Sequence, residues 1–164
     1  MTESFADLAT TLQDLATVRG VTVATAESCT GGNIAHQITS RPGSSSYFLG
    51  GVVSYANDVK HRVLGVSEAV LQNPGAVSES CARAMAEGAR ALIGADIAVS
   101  TTGIAGPDGG TARKPVGLVY IGLVTAGETI VEERVFPGDR AAVIDAATRR
   151  ALELLLQGIS TGTA

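Results

Sequence analysis

The stretch VTVATAESCTGGNIAHQITS, residues 21–40, contains the pattern that decides the fold. Its first part alternates valine and alanine with threonine, which is typical of a short buried β-strand. The sequence CTGG at 29–32 then ends the strand, and residues 31–40 predict a helix. Because a strand that leads through a glycine turn into a helix is the basic unit of α/β proteins, we predict that fold class.

Long amphipathic helices are predicted on both sides of this unit. Residues 3–19 place apolar side chains at intervals of three and four, as a helix with one buried face requires. Residues 78–94 begin with an N-cap serine and an acidic first turn and end in glycine, which are the usual helix boundaries. Residues 138–158 predict a further helix, with Asp139 near its start and Gly158 past its end.

Further strands are predicted between these helices. Residues 47–56, YFLGGVVSYA, form an apolar run whose glycine pair indicates a bulge or a close backbone approach. Another β-branched run begins at 95–102, and residues 116–136 predict two strands joined as a hairpin at 126–128. Strands and helices alternate without a repeat or a linker. We therefore predict a single α/β domain over 1–164, with a mixed sheet and this hairpin before the last helix.

The composition excludes several classes of function. Twelve basic against sixteen acidic residues give a net charge of −4, and no basic cluster suits a phosphate backbone, so nucleic acid is not expected as a partner. The first 20 residues carry acidic groups and no unbroken apolar run, so we expect a soluble cytoplasmic protein that contacts no membrane. Cys29 and Cys81 lack CxxC spacing, and His36 and His61 lack partners at ligand spacing. We therefore expect reduced thiols, no metal site and no cofactor.

Hydroxyl side chains and glycines are concentrated after the first predicted strand, in AESCTGG at 26–32. This places Ser28, Cys29 and Thr30 at the start of a helix, where free backbone N–H groups attract an anion such as phosphate. A capping sequence with a glycine turn also accounts for these residues and is the simpler interpretation. Cys29 has no base nearby in the sequence, which favours a buried structural thiol over an activated nucleophile.

A second constellation consists of Ser44, Ser45 and Ser46, followed by Tyr55 and Lys60. A serine nucleophile needs a base, and lysine serves as one when desolvation lowers its pKa so that the neutral amine is present. A tyrosine hydroxyl can relay or stabilise the proton. The alternative is that the three serines form an ordinary turn and that Lys60 is a solvated surface residue. Spacing alone favours this alternative.

A third constellation is the segment GIAGPDGG at 103–110, in which four glycines allow main-chain amides to approach a ligand. It follows Thr101 and Thr102 at the end of an apolar strand, and it lacks both the P-loop and the Rossmann glycine spacing. A ligand-binding loop is favoured over a flexible surface loop. Arg140, near the start of the last helix, suits a phosphate and a surface carboxylate equally well, and the sequence leaves both open.

Seven segments in this order and spacing resemble the CinA C-terminal domain family, the nicotinamide-nucleotide amidases. They are AESCTGG, PGSSSYF, GVVSYANDVKHRVLGV, GAVSE, STTGIAGPDGG, KPVGLVYIG and FPGDR, and the resemblance covers about residues 5–157. It implies a three-layer α/β/α domain that hydrolyses nicotinamide mononucleotide to nicotinate mononucleotide and ammonia without a metal, in pyridine nucleotide salvage. The alternative functions are a nucleotide-binding or regulatory module without turnover and a hydrolase of a related amide. Larger family members carry an additional N-terminal domain, so the chain resembles the stand-alone form.

Carried over by position, the resemblance implies Ser45 as the nucleophile, Lys60 as the base and Tyr55 as an assisting group. Ser44 is the main rival of Ser45, and Ser28 is the third candidate. The resemblance also implies a set of residues that bind the amide or the nucleotide, with Arg140 on the phosphate. They are Ser28, Thr30, Gly31, Ser44, Thr102, Gly103, Gly106, Gly109 and Arg140.

The expected partners are the small mononucleotide substrate and further copies of the chain. The apolar helix faces at 78–94 and 138–157 suit a second subunit as well as they suit a sheet. We therefore expect a homodimer or a larger homo-oligomer.

Overall fold

A computed structural model describes residues 1–162 and is built around one mixed sheet of five strands. The strands are β1 (Val23–Glu27), β2 (Phe48–Val53), β3 (Ile97–Gly103), β4 (Leu118–Val124) and β5 (Thr129–Val135). They lie in the order β2-β1-β3-β4-β5, with β1 parallel to both β2 and β3. The pairs β3–β4 and β4–β5 are antiparallel. The predicted mixed sheet with a terminal hairpin is confirmed.

Helices cover both faces of the sheet. One face carries α1 (Phe5–Arg19), α2 (Asn33–Thr39) and α6 (Arg140–Thr161), and the other carries α3 (Asn57–Leu64), α4 (Glu68–Gln72) and α5 (Glu79–Ile93). Each face has its own apolar cluster, with Leu12, Ile34 and Leu155 fully buried in the first and Met85 fully buried in the second. The expected three-layer α/β/α fold is confirmed. No helix within residues 1–162 has both the length and the apolarity needed to cross a membrane.

Capping side chains fix the starts of the two long helices that follow Ser78 and Asp139. Ser78 Oγ accepts a hydrogen bond from Cys81 N at 3.2 Å, and Asp139 Oδ1 accepts one from Ala142 N at 2.9 Å. Each bond satisfies an N–H that the first helical turn leaves without an internal acceptor. Both helix starts agree with the prediction from the sequence.

The end of α6 differs from the prediction, because the helix runs through Gly158 to Thr161. A Cβ atom at Gly158 would lie 3.0 Å from Leu123 Cδ2 on β4. The missing side chain therefore lets α6 approach the sheet closely. Gly158 therefore allows close packing and does not end the helix. A single sequence does not distinguish a glycine of one kind from a glycine of the other.

The glycine pair in β2 shows both features predicted for it. The register between β1 and β2 shifts between Phe48 and Gly50, so that Leu49 forms a bulge. A side chain at Gly51 would overlap the Thr25 hydroxyl of β1. Glycine is therefore required here, because the Thr25 side chain lies against the backbone of β2.

The parallel strands decide where functional groups meet. Because β1, β2 and β3 run in the same direction, the segments after Glu27, Val53 and Gly103 emerge at one edge of the sheet. Open α/β sheets bind their ligands outside this carboxyl edge. The turn at Ser44–Ser46 precedes β2 and lies at the opposite edge.

Candidate active site

Lys60 lies in the first turn of α3 and is only 1% exposed. Its Nζ atom contacts three oxygen atoms: Ser28 Oγ at 2.9 Å, the Ser54 carbonyl at 2.6 Å and the Tyr55 carbonyl at 3.1 Å. Side chains on a helix lean toward its N-terminus, so this one folds back over the segment that joins β2 to α3. The long stem thereby carries an amine to the hydroxyl of a residue that follows β1.

Main-chain hydrogen bonds hold Ser28 on both sides. Its N–H donates to the Thr101 carbonyl at 3.0 Å, and its own carbonyl accepts from Gly31 N at 3.0 Å. Gly31 and Gly32 have φ angles of 60° and 101°, which residues with side chains rarely adopt. We call residues 28–32 the serine turn, and its glycines allow the chain to pass from β1 into α2.

A buried carboxylate supports the serine turn. Glu27, 1% exposed, accepts hydrogen bonds from Ile34 N at 2.9 Å, Ala35 N at 3.0 Å and the Thr30 hydroxyl at 2.7 Å. Thr30 Oγ1 also lies 2.7 Å from Thr101 Oγ1. Since Thr30 gives its proton to the carboxylate, Thr101 must be the donor in that pair. Glu27 therefore ties the serine turn to α2 and to the end of β3.

Burial lowers the pKa of Lys60 from the ordinary lysine value of 10.5. Within residues 1–162 no carboxylate forms a salt bridge with it. A neutral amine has two N–H groups and one lone pair, and the carbonyls of Ser54 and Tyr55 accept the two N–H groups. In that neutral form the lone pair faces Ser28 Oγ, whereas in the ammonium form Nζ donates a hydrogen bond to this oxygen. This arrangement is suited to removing a proton from serine.

The neighbouring thiol does not compete as a nucleophile. Burial raises the pKa of Cys29 to about 12. The sulfur is therefore protonated near neutral pH, and the reactive thiolate is absent. Its side chain belongs to the apolar cluster beneath α1, α2 and α6. These observations agree with the interpretation of Cys29 as a structural thiol.

Arg140, the first residue of α6, links the segment after β2 to the loop after β3. Its Nη1 donates to the Gly106 carbonyl at 2.8 Å, and its Nη2 donates to the Tyr55 hydroxyl at 3.0 Å. Tyr55 is 59% exposed, so these groups are accessible to a ligand. We call Tyr55, Gly106 and Arg140 the arginine rim. A guanidinium has five N–H donors, so this rim keeps donors for an anionic group.

The family model described as CinA C-terminal domain matches residues 5–159. The chain belongs to this family. The CinA-like protein of Citrifermentans bemidjiense is 52% identical over 142 residues, which cover 87% of this chain and 34% of that protein. The CinA-like protein of Geobacter sp. strain M21 is 56% identical over 124 residues, which cover 76% of this chain and 30% of that protein. The CinA domain described here spans about a third of the length of these curated relatives.

Solved structures of CinA proteins share the same fold. The competence/damage inducible protein CihA from Agrobacterium tumefaciens is 40% identical, with a TM-score of 0.93 and coverage of 98% of both chains. The competence damage-inducible protein A from Klebsiella pneumoniae is 34% identical, with a TM-score of 0.94 and coverage of 98% of this chain and 100% of that one. The three-layer arrangement of this CinA domain is therefore the arrangement of its family.

The CinA domain does not bring Ser45, the nucleophile expected from the sequence, to Lys60. Ser44–Ser46 form a 3-10 turn before β2, whereas Lys60 follows β2. A strand of this length spans about 20 Å, at about 3.3 Å per residue. The turn contacts α1 instead, and Ser45 is exposed. The expected pairing of Ser45, or of its rival Ser44, with Lys60 is therefore wrong, and Ser28 takes that position.

Tyr55 lies beside Lys60, but its hydroxyl does not. The main-chain carbonyl of Tyr55 accepts from Nζ, while the phenol accepts from Arg140. A proton relay through the phenol is therefore not the arrangement that the structure shows. Tyr55 instead connects the amine, through its backbone, to the arginine rim.

The remaining residues expected to bind substrate fall into two groups. The first group lies in the serine turn or in the loop after β3, at the carboxyl edge, and its members are Thr30, Gly31, Gly106 and Gly109. In the second group, Thr102 Oγ1 donates to the Ala76 carbonyl at 2.8 Å. A side chain at Gly103 would overlap the Leu118 carbonyl. Thr102 and Gly103 therefore contribute to packing around the site.

A cavity of about 1190 Å³ lies away from this site, at the opposite edge of the sheet. Its lining includes Gly20, Asp96, Thr125 and Gln157, and it contains none of the residues predicted to be functional. Its lining also lacks a nucleophile paired with a base, so the buried Ser28–Lys60 pair identifies the site better than cavity size does. Within residues 1–162 no three His, Cys, Asp or Glu side chains come together to hold a metal ion.

No sequence pattern singles out Glu27 or the Ser54 carbonyl, although both shape this site. Glu27 ends a buried strand, and a carboxylate in that position is buried only when hydrogen bonds satisfy it. That placement is the only signal in the sequence that points to it. Ser54 acts through its backbone, which side-chain patterns do not reveal.

Proposed function

We propose that this CinA domain is an amidohydrolase that converts nicotinamide mononucleotide to nicotinate mononucleotide and ammonia in the cytoplasm, as part of pyridine nucleotide salvage. The observation that carries the hydrolase proposal is the buried Lys60 amine, 2.9 Å from Ser28 Oγ. A serine with a desolvated lysine base is an arrangement for acyl transfer, which includes amide hydrolysis. The substrate follows from the family resemblance, and the names of the relatives state no substrate.

In the first step, Ser28 Oγ attacks the carboxamide carbon while its proton moves to Lys60 Nζ. The two carbonyls on Nζ hold the amine in place throughout. Because the amine is neutral before the step, it does not repel the positively charged pyridinium of the substrate. That pyridinium withdraws electrons from the carboxamide and favours attack.

The negative charge then develops on the carboxamide oxygen. The amides of Thr30 and Gly32 donate no hydrogen bond within residues 1–162, and both belong to the serine turn. Free N–H groups in a turn with positive φ angles form a concave anion site, so we assign them to this oxyanion. The Lys60 ammonium returns its proton to the departing nitrogen, and ammonia leaves.

Water completes the reaction by hydrolysing the ester between Ser28 and the nicotinoyl group. Lys60, neutral again, takes a proton from the water and then returns it to Ser28 Oγ as the acid is released. The net change is amide plus water to carboxylic acid plus ammonia. Every proton transfer in this scheme uses one amine, so no second acid–base residue is needed.

The phosphate of the substrate is assigned to the arginine rim. Arg140 is the cation that joins the two loops at the carboxyl edge, and its hydrogen bonds to Tyr55 and Gly106 orient the guanidinium. The helix N-terminus behind it adds a favourable field for an anion. The glycines of the loop after β3, including Gly109, allow the backbone to approach the ribose.

Substrate preference tests the proposal directly. Purified protein should release ammonia and nicotinate mononucleotide in equal amounts from nicotinamide mononucleotide, with or without a metal chelator. Free nicotinamide and the dinucleotide should react with kcat/KM at least about 10²-fold lower, because they do not present the terminal phosphate to the arginine rim. Ammonia and product are measured by a coupled assay and by chromatography. Absence of ammonia from all three compounds would reject the amidase proposal.

The assignment of Arg140 has its own variant. Arg140→Gln should raise KM for the mononucleotide by about 10-fold to 100-fold, since a charge-assisted hydrogen bond contributes about 1.5–3 kcal/mol, and it should change kcat little. Arg134→Gln, on the exposed edge of β5, is the matched control and should leave KM unchanged. An unchanged KM in Arg140→Gln would show that the phosphate does not bind at the arginine rim.

The pH dependence of turnover follows from the lowered pKa of Lys60. The amine must be neutral to accept the proton, so kcat/KM should rise with pH with a slope of one on logarithmic axes and then level off. The midpoint should lie below the ordinary lysine value of 10.5, because burial disfavours the ammonium. Initial rates across a range of buffers measure the midpoint. A profile that still rises at that pH would contradict a desolvated lysine base.

A further inference from the structure

Helix α1 and the segment before β2 meet along a line of side-chain hydrogen bonds. Arg41 Nη1 donates to Thr10 Oγ1 at 3.0 Å, and Gln13 Nε2 donates to the Pro42 carbonyl at 3.1 Å. Thr10 and Gln13 are three positions apart on α1, so their side chains are neighbours on one face of the helix. Because Arg41 binds Thr10 and directly precedes Pro42, its guanidinium lies in the same seam as the Gln13 amide.

Three buried polar atoms in this seam have no hydrogen-bond partner among residues 1–162. They are Arg41 Nε, Gln13 Oε1 and the Tyr47 hydroxyl oxygen. Tyr47 is 1% exposed and belongs to the apolar cluster that α1 covers. The charge of Arg41 acts on the Tyr47 phenol, so these two side chains are near each other. Buried polar groups in folded proteins are almost always paired, so three unpaired ones in one region indicate a partner from outside the chain.

The charge of Arg41 indicates that this partner is an anion. The side chain is half-buried, and no carboxylate within the described range 1–162 forms a salt bridge with it. A desolvated cation without a counter-ion is costly, and a water molecule does not neutralise it. Since Nη1 binds Thr10, the edge formed by Nε and Nη2 is left for the ligand. Two parallel N–H groups of this kind bind an oxyanion through two oxygen atoms.

The other two atoms select among oxyanions. Burial raises the pKa of Tyr47 to about 12, so its hydroxyl keeps the proton near neutral pH and donates to an anionic oxygen. Gln13 Oε1 is an acceptor only, so the ligand must also donate a hydrogen bond. Inorganic phosphate keeps a hydroxyl group near neutral pH, whereas sulfate has none. Phosphate therefore matches all three atoms, while sulfate leaves Gln13 Oε1 unpaired.

We propose that Arg41, Tyr47 and Gln13 form a separate anion site, which binds inorganic phosphate between α1 and the segment that precedes β2. The Arg41 edge and the Tyr47 hydroxyl donate to phosphate oxygens, and the phosphate hydroxyl donates to Gln13 Oε1. This segment lies at the edge of the sheet opposite to Ser28 and Lys60. The site is therefore distinct from the arginine rim, and the proposal is independent of the amidase activity.

Calorimetric titration tests the site, with sodium phosphate as the probe at about pH 8 and constant ionic strength. The titration uses Arg140→Gln, because this substitution removes the other cation that is assigned to a phosphate. The protein should bind one phosphate per chain. Arg140→Gln combined with Arg41→Gln should bind phosphate at least about 10-fold more weakly, because the bidentate contact is lost. No saturable binding to Arg140→Gln, or equal binding by the double variant, would overturn the proposal.

The choice of anion tests the part that Gln13 plays. At about pH 8 sulfate and methyl phosphate carry no hydroxyl group, whereas inorganic phosphate keeps one. Both should bind Arg140→Gln at least about 10-fold more weakly than phosphate does, because neither one can donate to the buried Oε1 atom. If sulfate binds as tightly as phosphate, the site is not the one formed by these three atoms.

Tyr47→Phe separates binding from packing. The hydroxyl has no partner within residues 1–162, so its removal should not lower the melting temperature in phosphate-free buffer. In the Arg140→Gln protein the same change should weaken phosphate binding by about 10-fold or more, since one hydrogen bond to the anion is lost. Tyr120→Phe, on β4, is the matched control and should keep the affinity. Unchanged phosphate affinity in Tyr47→Phe would contradict the site.

Discussion

Replacing Ser28 with alanine is expected to lower kcat for hydrolysis of nicotinamide mononucleotide by at least about 10⁴-fold, because the variant cannot form the acyl-enzyme. The substitution removes only Oγ from a residue that is 8% exposed. The main-chain hydrogen bonds that hold the serine turn do not involve this oxygen and remain. The measurement is ammonia release at saturating substrate.

Ser45→Ala is the matched control for this result. It makes the same chemical change on an exposed turn at the opposite edge of the sheet, and kcat should stay within about twofold of wild type. Melting temperatures of both variants verify that each one folds. If Ser28→Ala is active and Ser45→Ala is inactive, the nucleophile is Ser45, in the turn before β2, and not Ser28.

The sequence predicts the fold well because its signals are local. Periodic apolar positions mark the helices, β-branched runs mark the strands, and Ser78 and Asp139 mark two helix starts. The glycine pair in β2 even predicts the bulge and the close approach to Thr25. Gly158 is the exception, because its purpose depends on Leu123, a residue 35 positions away along the chain. Only the packing of α6 on β4 distinguishes a packing glycine from a terminating one.

The site is predicted less well because it depends on how strands are paired. Ser45 and Lys60 are close in sequence, yet they precede and follow the same strand, so β2 separates them. Ser28 and Lys60 are 32 positions apart, and they meet because β1 and β2 are parallel neighbours. The resemblance was therefore carried over to the wrong serine, because nearness along the chain does not show which serine reaches Lys60. The order of the strands determines which serine meets Lys60, and no single segment of the sequence predicts that order.

The burial of Lys60 is a second property that the sequence does not show. A lysine just inside a short helix is commonly a solvated surface residue, and the flanking residues Asp58 and Arg62 do pair with each other at the surface. The helix face turned toward α5 nonetheless carries Lys60 with Leu64, and both are buried. Desolvation, which makes the amine a base, is thus a consequence of the tertiary structure.

Replacing Lys60 with methionine is expected to lower kcat by about 10³-fold or more, because no other side chain within residues 1–162 hydrogen-bonds to Ser28 Oγ and could remove its proton. Methionine keeps most of the apolar stem in its buried position. The dissociation constant of the mononucleotide, measured by calorimetry, should change by less than about threefold, since uniform binding contacts are untouched. The only other lysine, Lys114, donates to the Pro74 carbonyl at 2.6 Å. Lys114→Met should therefore retain kcat.

Rescue by added amines separates a base from a structural role. Lys60→Ala leaves a space beside Ser28 that a small primary amine can enter, and its lone pair can then accept the serine proton. Ammonia release should return in proportion to the concentration of neutral amine, and so should rise with pH through the pKa of the amine that is added. If Lys60 only held the turn in place, the rescue would follow total amine and ignore pH. Full activity of Lys60→Met at neutral pH would show that the serine loses its proton to another group.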